Sequence, residues 1–178
     1  MKVVKFCLLP VLALLLAGGV GLYFLAKDLP AEWNVEVAIE IEAPASEIHP
    51  LIEDFHRWPE WSAFKDEYPD TAYTFEGAEK GVGAVMTTTS QGSTVRAEIT
   101  SSDPAKGVWF DELLEGQIQA KGAILYEEAD GKTTVRWQDR GTFGDFFLLR
   151  FANEAFQMTF TEGIAKNLDK LKLVVEGA

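Results

Sequence analysis

The stretch "NVEVAIEIEAPASEIHPLIEDFHRWPEWSAF", Asn34 to Phe64, changes its period twice and so sets the order of the elements around it. Asn34 to Ala43 alternates strictly: Val35, Val37, Ile39 and Ile41 share one face, and Glu36, Glu40 and Glu42 share the other with Ala38. A period of two with one apolar face is a half-buried strand. Ile48, Leu51, Ile52 and Phe55 then recur at helical spacing, with Ser46 placed to cap the first turn. Pro50 lacks a backbone donor, so this helix is expected to be short or bent. An aromatic knot closes the stretch, "DFHRWPEWSAF", in which Pro59 suits the first turn of a second short helix.

Downstream the period of two takes over. Strands are expected over 71–77, 83–90, 93–102, 107–114, 118–128 and 133–141, punctuated by Gly81, Gly83, Gly92, Gly107, Gly116 and Asp130-Gly131. The glycines of "GAEKGVGAV", Gly77 to Val85, precede a strand rather than a helix, which makes them a hairpin turn and not a nucleotide-binding loop. Short connections imply antiparallel pairing. Phe156, Phe160, Ile164, Leu168 and Leu171 then form a helical stripe, with Asn167, Lys170 and Lys172 off it. "GDFFLLRF", 144–151, reads as a helical turn leading in. Strand, short helices, six strands and a long helix make an α+β domain. The expected solution is a seven-stranded curved antiparallel sheet wrapped around the C-terminal helix. Layers that diverge leave a cleft suited to a small apolar ligand.

The N-terminal segment is of another kind. Lys2 and Lys5 precede an uncharged run of 21 residues, Phe6 to Ala26. As a helix it reaches roughly 32 Å, against about 30 Å for a hydrocarbon core. It is longer than the apolar part of a cleaved signal peptide. Residues 1–26 are therefore expected to be a transmembrane anchor or uncleaved signal, 27–33 a linker, and 34–176 the folded domain. Lysines before the run, against Lys27 offset by Asp28 after it, put the N-terminus in the cytoplasm and the domain outside it. From Trp33 onward there are 13 Lys and Arg against 26 Asp and Glu, a net charge of −13. That opposes binding to nucleic acid or to anionic headgroups. Cys7 is the only cysteine, so the domain has no disulfide.

The domain resembles the START-related, pollen-allergen-like helix-grip (SRPBCC) superfamily, in its polyketide cyclase/dehydrase-like branch. The matching residues are "IEAPASEIHPLIEDFHRWPEWSAF", "FEGAEKGVGAVM", "TTVRW" with the following glycine, and "FTEGIAKNLDKLK", in that order along roughly 34–175. The resemblance implies the helix-grip fold and a hydrophobic cavity between sheet and long helix. It implies no single activity, since members include lipid carriers, aromatic cyclases and chaperone activators.

Candidate site residues follow from alternation and from the knot. Trp58, Trp61 and Phe64 stand where the curled sheet is open, either as a lid over a cavity or as a plug sealing the core. Behind them Met86, Phe110, Ile124, Trp137 and Phe160 are expected to line the cavity. Glu112 shares a strand face with Val108 and Phe110, and Asp139 shares one with Val135 and Trp137. If those faces point inward, both are cavity carboxyls, protonated or paired. Otherwise they sit near strand ends in water, or pair with Arg96 or Arg140. His49 and His56 are the only histidines; they are too few for a metal site, and a solvated helix surface accounts for them. No metal and no cofactor is expected.

Three functions compete. The first is a membrane-tethered, monomeric domain that holds a lipid or other small hydrophobic molecule. The second is a cyclase- or dehydratase-like enzyme on an aromatic or polyketide-like substrate, which needs Glu112, Asp139 or Tyr126 in the cavity with a perturbed pKa. The third is a protein-interaction module with no ligand, for which a filled core is expected.

Overall fold

The structure, a computed structural model, describes residues 2–177, and the side chains of its first helix from Leu14 onward. The elements are helix α1 (Lys2–Ala26), strand β1 (Glu32–Ile41) and helix α2 (Ala45–Ile52), followed by a 3-10 turn (Phe55–Arg57) and the short helices α3 (Trp58–Trp61) and α4 (Phe64–Glu67). Six strands come next: β2 (Ala72–Gly77), β3 (Ala84–Ser90), β4 (Ser93–Asp103), β5 (Gly107–Leu114), β6 (Ile118–Ala129) and β7 (Lys132–Thr142). A 3-10 segment (Phe147–Ala152) leads into the long helix α5 (Asn153–Glu176).

The seven strands form one antiparallel sheet in the order β1-β7-β6-β5-β4-β3-β2. Consecutive strands β2 to β7 meander, and β1 returns to pair with the last of them, from Glu32 opposite Thr142 to Ile41 opposite Thr133. Two hairpins are as tight as a hairpin can be. Asp130 (φ 51°) and Gly131 (φ 77°) join β6 to β7, and Gln91 (φ 52°) and Gly92 (φ 82°) join β3 to β4. Two successive positive φ values match the twist of the flanking strands. The pairing of β4 with β5 shifts between Ile99 and Ser101, a bulge that bends the sheet.

Helix α5 lies on the concave face and is tied down along its length. Asn153 Nδ2 donates to the carbonyls of Pro30 (3.1 Å) and Glu32 (3.0 Å). At the other end, Glu42 N–H donates to Glu176 Oε1 (2.8 Å) and Lys172 Nζ to the Glu40 carbonyl (2.9 Å). Of its stripe, Ile164, Leu168 and Leu171 are buried, at 2 % exposure or less, while Phe156 and Phe160 are half-buried. Gly177 (φ 69°) ends it in the left-handed conformation that a glycine C-cap supplies.

Three expectations need correction. Ser46 does not cap α2: Pro44 takes the cap position and no side chain bonds there. The domain starts earlier than expected, because β1 begins at Glu32 and Trp33, assigned to the linker, is 2 % exposed. Trp33 is in phase with Val35, and its ring packs edge-on against Phe156 (5.1 Å) and Phe160 (5.5 Å). His49 is not on a solvated surface; it is 6 % exposed, because α2 packs this face against β6. Among the described residues no helix is long and apolar enough to cross a membrane. The side chains of α1 are described for Leu14 to Ala26, 13 residues, about 20 Å of helix. The rest of the expected span, with Cys7, lies outside the described side chains.

Candidate functional site

Helix α2 stops at Ile52, which leaves its last carbonyls without intrahelical partners. The knot supplies those partners. Trp58 Nε1 donates to the Ile52 carbonyl (2.9 Å) and Trp61 Nε1 to that of Leu51 (3.0 Å). Pro59 sits in the first turn of α3, so the two tryptophans come one turn apart. They pack together at 4.9 Å, and each meets Trp137 of β7, at 5.5 and 5.9 Å. From the far side α5 holds this corner: Asn167 Oδ1 accepts from Ala63 N–H (2.7 Å), and Lys170 Nζ donates to the Ser62 carbonyl (3.2 Å).

Between this corner, the sheet and α5 lies a cavity of about 460 Å³. Trp58, Trp61 and Trp137 form one wall, Met86, Ala97 and Leu114 come from the sheet, and Phe156, Phe160 and Ile164 from α5. Phe64 stands at its rim, 41 % exposed, whereas Trp61 is wholly buried. The knot thus acts both as plug and as lining. Its tryptophans are core, and the same rings present a face to the cavity. Of the ten candidates, Phe110 and Ile124 do not line it. Phe110 lies behind Trp58 and Trp137, edge-on to both at 5.7 and 6.3 Å, and Ile124 is fully buried.

The cavity floor carries two carboxyl groups, Glu112 on β5 and Asp139 on β7. Strand β6 runs between them, with Ala120 opposite Glu112 and Gly122 opposite Asp139. Gly122 is what admits Asp139. A Cβ there would collide with the Phe110 ring and with Asp139 Oδ1. Asp139 is 1 % exposed; its Oδ2 accepts from Trp137 Nε1 (2.8 Å) and its Oδ1 has no partner. Glu112 Oε2 is buried and also unpartnered. Neither pairs with an arginine, which overturns that alternative: Arg96 bonds Glu98 (3.0 Å), and alternation turns Arg140 to the opposite face. Burial pushes the Glu112 carboxyl up from 4.5 to about 7. Burial also pushes Asp139 well up, the charge of Glu112 adds to this, and the indole N–H of Trp137 opposes it.

Tyr126 belongs elsewhere. It meets the buried His49 (Oη to Nδ1, 3.4 Å) beneath α2, and does not line the cavity. His49 Nε2 also lies 3.3 Å from Ser102 Oγ and 3.3 Å from Glu53 Oε2. His56 is exposed, paired with Asp54 (3.1 Å) and stacked on Phe75. Among the described residues no group of three His, Cys, Asp or Glu side chains is placed to hold a metal ion. A wider depression, about 1040 Å³, shares only Glu112 with the cavity and is lined largely by polar and charged residues.

Two contributors to this site escape the sequence reading. Phe156 is on the helix stripe by its spacing but is not among the cavity candidates, and Trp33 falls in the expected linker, although it backs both Phe156 and Phe160. The alternation that marks Val35 extends to Trp33 and is the signal that could have found it.

Comparison with known proteins agrees with this architecture. CV1439 from Chromobacterium violaceum superposes with a TM-score of 0.61 at 11 % identity, over 80 % of this chain and 97 % of that one. The structure of Ara h 8.0201 gives 0.58 at 15 % identity, over 83 % and 99 %. DynU16, from the dynemicin biosynthetic locus, gives 0.59 at 16 % identity over 80 % of this chain, which spans only 47 % of DynU16. At such identities the likeness is one of fold. No curated protein matches the sequence. The sequence model of one family, described as polyketide cyclase / dehydrase and lipid transport, matches residues 32–176. That match covers every strand, the aromatic corner and α5, so the chain belongs to the polyketide cyclase/dehydrase family, with the helix-grip fold.

Proposed function

We propose that the domain is a binding module for a small, largely apolar molecule held between the sheet and α5. The cavity carries this reading. Its volume of about 460 Å³ lies in the range of small-molecule sites, about 300–1,000 Å³. Its lining includes three tryptophans, three phenylalanines, two tyrosines and aliphatic side chains, with serine, threonine and amide groups among them. An interaction module without a ligand has no use for such a space, and filling it would stabilise the fold. The buried carboxyls favour a second reading, an acid–base step of cyclase or dehydratase type, because a carboxyl raised to about 7 is poised to give or take a proton. The binding reading ranks first, since none of the serine, threonine or tyrosine hydroxyls lining the cavity is hydrogen-bonded to Asp139 or to Glu112 Oε2.

Tethering to a membrane through α1 is part of the proposal. Leu14, Leu15 and Leu16 are each more than 60 % exposed. Next to the C-terminal end of α1 the 3-10 segment presents Leu148 and Phe151, and its Phe147 meets Tyr23 at 5.9 Å. The arrangement suits an apolar helix with an interfacial apolar patch at its exit, the domain facing away from the cytoplasm.

Native mass spectrometry of the full chain, released from lipid nanodiscs, tests the binding reading. An apolar molecule bound one to one is the expected result. A chain that carries nothing and takes up no apolar probe overturns it. For the tether, the full chain is expected to stay with membranes through alkaline carbonate; release into the supernatant refutes that part alone.

A further inference from the structure

The cavity walls ask for an apolar body, and the floor asks for something more specific. Asp139 Oδ1 and Glu112 Oε2 are buried acceptors with no donor from the protein. A buried polar group left without a partner is costly, and native structures rarely leave two together. Among the described residues no positively charged side chain bonds either of these two oxygens, although Arg96, Lys121 and Arg140 share the wider depression with Glu112. The ionisable groups around the cavity are Glu67 on α4, Tyr68 after it, Tyr73 on β2, and Glu162 and Lys166 on α5. Lys166 is already bonded to Glu67 (3.0 Å). With Glu112 and Asp139, four carboxyl groups face the cavity against one ammonium that is itself engaged. A fatty acid would bring a fifth carboxyl group to this space.

Resting on the binding reading above, we infer that the ligand is a cationic amphiphile: an apolar, aromatic-compatible body carrying a protonated amine that docks between Glu112 and Asp139. The ammonium supplies the missing donors. The indole faces of Trp58, Trp61 and Trp137 add cation–π attraction along the way in. Trp137 has a second part, because its N–H fixes the Asp139 carboxyl by Oδ2 and leaves Oδ1 free for the ligand. Without ligand Glu112, raised by burial, retains its proton up to about pH 7, and burial with the charge of Glu112 pushes Asp139 up as well. The cation displaces these protons, so its binding strengthens as pH rises.

Three probes that share one body test this: phenylpropylamine, phenylpropanol and phenylpropanoate. Each is titrated calorimetrically into the full chain in nanodiscs, with empty nanodiscs as reference. At pH 8 the amine is expected to bind about tenfold or more tighter than the alcohol, as for a hydrogen bond between charged partners, with the carboxylate weakest. Between pH 6 and pH 8 the preference for the amine should grow. The isosteric variant Glu112→Gln/Asp139→Asn should lose that preference and its pH dependence while still binding the alcohol. Glu112→Gln alone, which leaves the Trp137–Asp139 bond intact, should lose most of it and guards against a folding defect in the double variant. Alcohol and amine binding equally well, or an amine preference that survives in both variants, overturns this inference and leaves the binding reading standing. Failure of all three probes to bind overturns both.

Discussion

Glu112 should make the protein less stable in base than in mild acid, and replacing it should remove that loss. In the folded state its carboxyl is raised from 4.5 to about 7 by burial alone. Below pH about 4.5 both folded and unfolded chains hold the proton. Between about 4.5 and 7 the unfolded chain releases it and the folded chain does not, so stability falls as pH rises. Above about 7 both are ionised and the loss is complete. A displacement from 4.5 to about 7, at about 1.4 kcal/mol per pKa unit, amounts to about 3 kcal/mol. Asp139 is raised by the same burial and acts in the same direction. The surface carboxyls Glu36, Glu42, Glu60 and Asp103 are lowered by their partners and act in the opposite direction, at lower pH. The contribution of Glu112 is therefore read as a difference between two proteins. At pH 8 Glu112→Gln should be about 3 kcal/mol more stable than the parent, because an unpaired buried charge is gone. At pH 4.5 the two should nearly coincide. For a chain of this length 1 kcal/mol moves Tm by about 2–4 °C. Melts followed by tryptophan fluorescence, with both proteins in nanodiscs, should then separate by about 6–12 °C at pH 8. A constant separation across pH, or a variant less stable at pH 8, refutes the assignment of Glu112 as a buried, unpaired acid.

Other outcomes follow from the packing. Trp61→Ala should cost about 3–5 kcal/mol, as for other buried aromatic truncations; it is wholly buried and satisfies the Leu51 carbonyl. Chemical denaturation measures this, and a loss below about 1 kcal/mol would show that the corner is not core. Ile164→Asp puts a charge at a position 2 % exposed and should cost several kcal/mol; an unchanged Tm would mean that α5 buries another face. Gly122→Ala must displace the Phe110 ring or the Asp139 carboxylate. It should cost about 1–3 kcal/mol, the range for overpacked cores, and shift the near-ultraviolet signal of Trp137. Wild-type stability and spectrum would show that β6 has room there.

The strands, the aromatic corner and the long helix are legible in the sequence because each rests on local periodicity, and local periodicity is a property of the chain. The alternation through Val135, Trp137 and Asp139 puts Asp139 on the same face as its apolar neighbours, since a strand offers its side chains only two sides. The same rule extended two residues back from Val35 puts Trp33 in the core. Proximity is different. Nothing in the sequence brings residue 112 next to residue 139: that depends on β6 lying between β5 and β7 and on Gly122 having no side chain there. Nor does spacing reveal that the carbonyls left over at the end of α2 are taken by the indoles of Trp58 and Trp61. His49 shows the limit most plainly. Read along its own helix it lines up with the polar Ser46 and Glu53, and only the packing of α2 against β6, 77 residues away, buries it against Tyr126. Sequence determined which face each residue occupies. Tertiary structure decided which faces meet, and with that the charge and volume of the cavity, because these belong to groups that the chain keeps far apart until it folds.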